Sequence, residues 1–270
     1  MSAERQARGG PATAYLKNTA DALTMTDAQA EAVEKSLVAL RRGLTEYFPD
    51  LVKEQITFGS YTRGTNLPLR VDPYSDVDHM VVFARDRGER PQTFLDRLKR
   101  FADDRYPRSL ANQSRPAVVL ILNHIRFDLV PAYKDWWGDY RIPARATAFE
   151  EWIDTAPNDF KPYLDRRHRE TDFQMKPLIR LLKYWNALND YPFETYRLEK
   201  KIANRWYPFC DTLAEYLASA FDGLSNLDLR SDAREAVRRA RKIIDDARRA
   251  SRSKDSTAVE MEIQRLLPPL

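Results

Sequence analysis

The chain is poor in cysteine, in histidine and in long apolar runs. Cys210 is the single cysteine in 270 residues, which excludes an internal disulfide and any metal cluster built from cysteines. The three histidines, His79, His124 and His168, are scattered and read as structural or surface residues. No apolar stretch approaches the roughly 18 residues needed to cross a bilayer; the longest are Met80–Phe83 and Val118–Leu122. The opening "MSAERQARGGPATAY" lacks the apolar core of a signal peptide, and residues 1–20 read as a flexible tail. Beyond that tail there is no low-complexity tract and no internal repeat. A reducing cytoplasm fits this pattern, with no membrane partner.

What remains is the composition of a globular protein, 43% hydrophobic and 31% charged. The net charge is only +4, but it is unevenly placed: residues 230–254 hold ten Lys/Arg against four Asp/Glu. A solvated face of an amphipathic helix explains that stretch more simply than a nucleic-acid contact, which is the less favoured reading. Oligomeric state is not legible.

Patterning divides the chain. Thr26 or Asp27 caps a helix whose apolar positions Val33, Leu37, Leu40 and Leu44 keep helical spacing. "QITF" and "VDHMVVF" read as strands, separated by a stretch with Gly64, Pro68 and Pro73 that cannot form one regular element. "QTFLDRLKRFADDRY" reads as a helix, then "AVVLILN" and "IRFDLVPAY" as two strands around a tight turn. After about residue 150 the pattern becomes helical, with a stripe Met175, Leu178, Ile179, Leu182 and Trp185 and a long final amphipathic helix. The expected class is α+β: a mixed sheet with helices over residues 21–160, a helical lobe over 161–270, and a ligand cleft between them.

Side chains alternate along a strand, so Asp76 and Asp78, two apart at the start of "VDHMVVF", project to one side. Asp128 interrupts an apolar strand, where a lone charge is costly unless it is paired or bound to metal. Together they supply three hard oxygen donors of the kind that hold Mg²⁺ or Mn²⁺, with a substrate phosphate completing the shell. Two such ions can align an attacking hydroxyl and a leaving pyrophosphate. Gly59 and Ser60 fit as a phosphate-binding turn, glycine allowing close backbone approach and serine offering its hydroxyl and N–H. Lys176, Arg180 and Lys183 share a helix face roughly opposite the apolar stripe, so these cations either face a cleft or are merely exposed.

These motifs resemble the nucleotidyltransferase superfamily that includes DNA polymerase beta, with its Gly-Ser, Asp-x-Asp and third Asp. More closely, "GSYTRGT", "SDVDHMVVF" and "IRFDLVPAY" resemble the bacterial cyclic-oligonucleotide synthases called CD-NTases, relatives of oligoadenylate synthetase and cyclic GMP-AMP synthase. "PLIRLLKYWN" is similar to the family's lysine-bearing helix, and "ETYRLEKKI" to its Ser-Tyr-x-Leu-Glu helix start, with Thr195 in place of the serine. The matches run from about residue 56 to 202.

The resemblance implies a polymerase-beta-like core and an enzyme that makes a cyclic di- or trinucleotide from NTPs with release of pyrophosphate. Asp76, Asp78 and Asp128 would be catalytic and hold two Mg²⁺ or Mn²⁺ ions. Gly59, Ser60, Lys183, Thr195 and Tyr196 would bind nucleotide, Lys183 at the donor triphosphate and Tyr196 stacking on a base. It also implies anti-phage (CBASS-type) defence, with the product acting on a separate effector protein. Transfer of a nucleotide to an RNA end or a protein hydroxyl, and a non-catalytic binding module, stay open as alternatives. The tandem Trp136-Trp137 reads as packing and Asn158 as a weak candidate for base reading; which bases are used is not legible.

Overall fold

The computed structural model describes residues 10–85, 88–114, 116–144, 151–227 and 229–270. They fall into two compact units. One comprises Met25–Leu69 and Tyr74–Tyr163; the other comprises Leu164–Leu270, Arg70–Pro73 and the described residues before 25.

The first unit opens with α2 (Asp27–Tyr47), started by a capping box: Gln29 N–H donates to Thr26 Oγ1 at 3.3 Å and Thr26 N–H to Gln29 Oε1 at 2.9 Å. Then follow β1 (Val52–Phe58), the short α3 (Gly59–Arg63), β2 (Val77–Phe83), α4 (Pro91–Arg105), β3 (Leu110–Ser114), β4 (Ala117–Leu122), β5 (Ile125–Lys134), β6 (Tyr140–Pro143) and β7 (Trp152–Thr155). The sheet runs β1-β2-β5-β4-β3, with β6 joining β5 to β7. Among the described residues only β2 and β5 pair in parallel.

The core lies on one face of this sheet. Val33, Leu37, Leu40 and Leu44 of α2 and Phe94, Leu95, Leu98 and Phe101 of α4 pack on Val77, Val81, Phe83, Val118, Leu120, Phe127 and Leu129. Alternation sends Met80 and Val82 to the opposite face, with Ala132. Asp78 shares their parity. Burying the odd-numbered side chains of β2 therefore turns its even-numbered carboxylate away from the helices.

In the second unit, α6 (Met175–Leu188), α7 (Thr195–Asn204), α8 (Leu213–Ser225), α9 (Ser231–Arg252) and α10 (Ser256–Leu266) form a bundle, while α5 (Phe160–Glu170) crosses the boundary. The α6 stripe is buried as its spacing predicts, and Trp185 meets Phe221 edge-on at 4.9 Å.

Three expectations need correction. Within the stretch read as a flexible tail, Pro11–Ala22 form a helix, α1, with Leu16 and Ala20 buried; residues 1–9 lie outside the described residues. Thr13 and Thr19 share its buried side with Leu16, Ala20 and Leu23, and that mixture leaves too sparse an apolar stripe to stand out in sequence. Strands β3, β6 and β7 were not foreseen, because β3 is nearly all exposed and the others have four residues each. Trp136 and Trp137 do not pack: they are 93% and 84% exposed, on a turn whose Asp135 carboxylate accepts the N–H groups of Trp137 and Asp139. That side chain closes the turn before either indole can reach the core.

Candidate active site

The site is built where β1, β2 and β5 lie side by side. In the parallel ladder Val77 faces Phe127 and Asp78 faces Asp128, so the two carboxylates occupy neighbouring positions of one row. Asp76 stands one residue before β2. One oxygen from each of Asp76, Asp78 and Asp128 lies within 4.8 Å of the others, and all three residues are partly buried. Among the described residues this is the one cluster with metal-ligand proximity.

On the other side of β2, Phe58 at the end of β1 faces Asp78. The chain then turns into α3 through Gly59, whose φ is +77°. A Cβ placed on Gly59 would sit 1.8 Å from Asp78 Oδ2. The glycine therefore leaves the space that the carboxylate fills. Gly59 and Ser60 open α3, and Gly64 closes it at φ +69°. Two further bonds tie down this turn: Thr62 Oγ1 donates to Gly59 O at 3.1 Å, and Thr65 N–H donates to Ser60 O at 3.0 Å. Ser60 is thus held on the backbone next to the acidic cluster.

A residue that the sequence reading passed over also belongs here. Arg126, two before Asp128 on β5 and so on the same side, donates from Nε to Asp128 Oδ1 at 3.1 Å. Its signal was available: a cation at i−2 from an acid in a strand.

Lys183, Thr195 and Tyr196 belong to the helical unit. Lys183 is 5% exposed and pairs with the fully buried Glu199 at 3.1 Å. Arg180 is buried, donating from Nε to Ala20 O, and Lys176 pairs with Asp165 at 2.7 Å. Of the two expected settings, mere exposure to solvent does not hold for Arg180 and Lys183, because α6 is covered on more than its apolar stripe. Thr195 begins α7, and Glu194 caps that helix by accepting from Tyr196 N–H at 3.2 Å. Tyr196 is exposed, with Lys200 Nζ 5.5 Å from its ring centre. Asn158 is exposed.

None of the three histidines joins the cluster. His79 is wholly buried on the helix-covered face, donating from Nε2 to Gln55 Oε1 at 3.1 Å and accepting at Nδ1 from Thr57 Oγ1 at 3.1 Å. Burial, reinforced by the nearby Arg41 charge, holds its pKa down to about 3, so it is neutral. His124 bonds Ser36, and His168 accepts from Lys176 N–H.

Three carboxylates from two adjacent strands fit a hard divalent cation, all donors being oxygen and partly shielded from water. The Gly59–Ser60 turn lies beside these carboxylates.

Comparison with known proteins identifies the family and the fold. Residues 11–167 match the model of the Second Messenger Oligonucleotide or Dinucleotide Synthetase domain, a span containing Gly59, Ser60 and all three aspartates. The chain is 28% identical over 135 residues to a cyclic AMP-AMP-AMP synthase of Acinetobacter sp., an alignment covering 48% of this chain and 38% of that protein. The match thus spans well under half the length of that relative. Among solved structures, CdnC of E. coli MS115-1 with ATP superposes with a TM-score of 0.73 at 16% identity, covering 95% of this chain and 98% of the other. The CD-NTase CdnG of Bradyrhizobium diazoefficiens in complex with GTP superposes with a TM-score of 0.72 at 13% identity, covering 95% and 98%. At those identities the superpositions establish the fold, α+β with a polymerase-beta-like core and a helical lobe. Because the family model matches more than half of its length, the chain belongs to the Second Messenger Oligonucleotide or Dinucleotide Synthetase domain family, as its resemblance to the CD-NTases implied.

Proposed function

We propose that this chain is a divalent-metal-dependent nucleotidyltransferase that condenses NTPs into a cyclic di- or trinucleotide second messenger and releases pyrophosphate. The observation that carries the reading is the convergence of Asp76, Asp78 and Asp128 beside the Gly59–Ser60 turn. Family membership supports it, as does the activity named for the Acinetobacter relative.

When bound, Mg²⁺ or Mn²⁺ ions supply Lewis acidity at the phosphates and bring the attacking and leaving oxygens into line. The remaining work falls to the chain. Asp76, Asp78 and Asp128 hold the cations, and one of these carboxylates accepts the proton of the acceptor 2′- or 3′-hydroxyl as that oxygen attacks the α-phosphorus. Pyrophosphate leaves with the bonding pair. Ser60 steadies the donor triphosphate through its hydroxyl and N–H. On the strength of the resemblance, Lys183 is assigned to the same triphosphate, the Thr195 hydroxyl to a phosphate contact and Tyr196 to base stacking. Stacking of that kind contributes about 1–3 kcal/mol and accepts any base. Closure requires the linear intermediate to be reseated so that its remaining triphosphate becomes the donor.

The biological role belongs to the same proposal: a messenger of anti-phage (CBASS-type) defence, made in the cytoplasm and sensed by a separate effector protein. No described helix is long and apolar enough to cross a membrane. Transfer to an RNA end is less supported, since arginines of α9 pair with nearby carboxylates, Arg238 with Glu235 and Arg241 with Asp222.

The deciding experiment is incubation with each labelled NTP, singly and in pairs, with Mg²⁺ or Mn²⁺, followed by phosphatase and mass spectrometry. A phosphatase-resistant oligonucleotide is expected. Folded protein that yields no such product with any pairing would overturn the synthase reading, and label transferred instead to added RNA or protein would favour the alternative.

A further inference from the structure

The acidic cluster contains a base at its corner. Strand alternation puts Arg126 and Asp128 on the same side of β5. The parallel register pairs Val77 with Phe127 and Asp78 with Asp128, and Asp76 stands one residue before β2. One guanidinium thus lies against a cluster of three acids.

The contact is direct, Nε to Asp128 Oδ1 at 3.1 Å, and the side chains are only 21% and 19% exposed. Carboxylate oxygens within 4.8 Å of one another repel when no cation lies among them, and partial burial limits screening by water. A guanidinium bonded to one of them offsets that repulsion and, by engaging one oxygen, fixes the plane of the carboxylate. The same positive charge repels an incoming divalent cation.

We propose that Arg126 is a positioning residue and internal counter-ion of the carboxylate cluster, orienting Asp128 and setting how tightly the three aspartates take a divalent cation. The proposal rests on the reading of the cluster as a divalent-metal site. It assigns Arg126 two effects of opposite sign, one on the metal-free protein and one on cation affinity.

Both are measurable without turnover. Metal-free thermal melting and Mn²⁺ binding by calorimetry, or by the paramagnetic signal of free Mn²⁺, are compared for wild type, Arg126→Gln and Arg126→Lys. Arg126→Gln is expected to melt lower than wild type by roughly 3 °C without metal, the scale of a small stability loss in a chain of this size. It is expected to bind Mn²⁺ several-fold more tightly, because a charge repelling the ion has gone. Arg126→Lys, which keeps the charge, is expected to bind Mn²⁺ as wild type does.

A merely structural arginine would weaken or leave unchanged the Mn²⁺ affinity when removed, and either result overturns the proposal. If Arg126→Gln does not fold, the double variant Arg126→Gln/Asp128→Asn removes both charges and should recover most of the metal-free melting temperature; no recovery also overturns it. If wild type binds no Mn²⁺, the metal-site reading fails and takes this proposal with it. If wild type binds and Arg126→Gln binds equally well, the proposal alone fails.

Discussion

Gly59 and Asp78 are mutually dependent: the carboxylate oxygen Oδ2 of Asp78 fills the space where any side chain at position 59 would begin, 1.8 Å from an ideal Cβ. The positive φ of Gly59 adds a backbone cost to any replacement. Gly59→Ala must therefore strain the turn, displace the carboxylate, or both. The expected outcome is a fall in product formation of roughly a hundredfold, the scale of a small misplacement at a reacting centre, with a stability loss of about 1–3 kcal/mol. Steady-state assays with thermal melts test this; wild-type activity in Gly59→Ala would show that the Asp78 position is not critical.

Each of the three aspartates has a neutral isostere that preserves shape. Asp76→Asn, Asp78→Asn and Asp128→Asn are expected to lower turnover by roughly a thousandfold or more, as befits loss of a cation ligand. Relief of repulsion in the cluster should leave Asp76→Asn and Asp78→Asn at least as stable as wild type in metal-free buffer. Mn²⁺ titration alongside urea unfolding separates the two effects. An Asp78→Asn protein that kept both activity and Mn²⁺ binding would exclude the site described above.

The buried Lys183–Glu199 pair makes a prediction about the helical unit. Removing one partner strands a buried charge, so Lys183→Ala should cost about 3–5 kcal/mol, whereas the double change Lys183→Met/Glu199→Leu should recover most of it. If Lys183 also holds the donor triphosphate, the double variant will fold but show a raised KM for NTP. Restored stability together with an unchanged KM would confine Lys183 to a structural role.

His79 gives the pH dependence a sign. In the unfolded chain the imidazole takes up a proton near its ordinary pKa of 6.5; in the folded protein burial and Arg41 delay this until about 3. Its contribution to stability is complete above pH 6.5 and is lost as pH falls from there toward 3, at no more than about 1.4 kcal/mol per unit. His168, held down to about 4 by burial and Lys176, acts in the same direction. Urea midpoints between pH 7 and pH 4 should fall more steeply for wild type than for His79→Asn. Parallel curves would mean that His79 is protonated in the native state.

The site was legible in sequence to the extent that its chemistry follows from strand parity. Asp76 and Asp78 two apart before an apolar run, and a lone Asp128 inside another, carry their own cost unless something offsets the charge. The spacing of α2 and α6 was equally readable, because an amphipathic stripe is a local property of the chain.

Pairing had to come from the tertiary structure. Sequence does not say that β2 runs parallel to β5 in a register setting Asp78 opposite Asp128, since that depends on which strands exchange hydrogen bonds across 49 intervening residues. Arg126, the cation that local reading left out, bonds Asp128 from two positions earlier on the same strand. Lys183 shows the converse: its spacing marked a cationic face, but only packing supplied Glu199 as a buried partner. Alternation and periodicity are local and survive in the sequence. Neighbours across a sheet or a bundle are chosen by burial of the whole chain, and that choice made Gly59 the one residue the Asp78 carboxylate can accommodate.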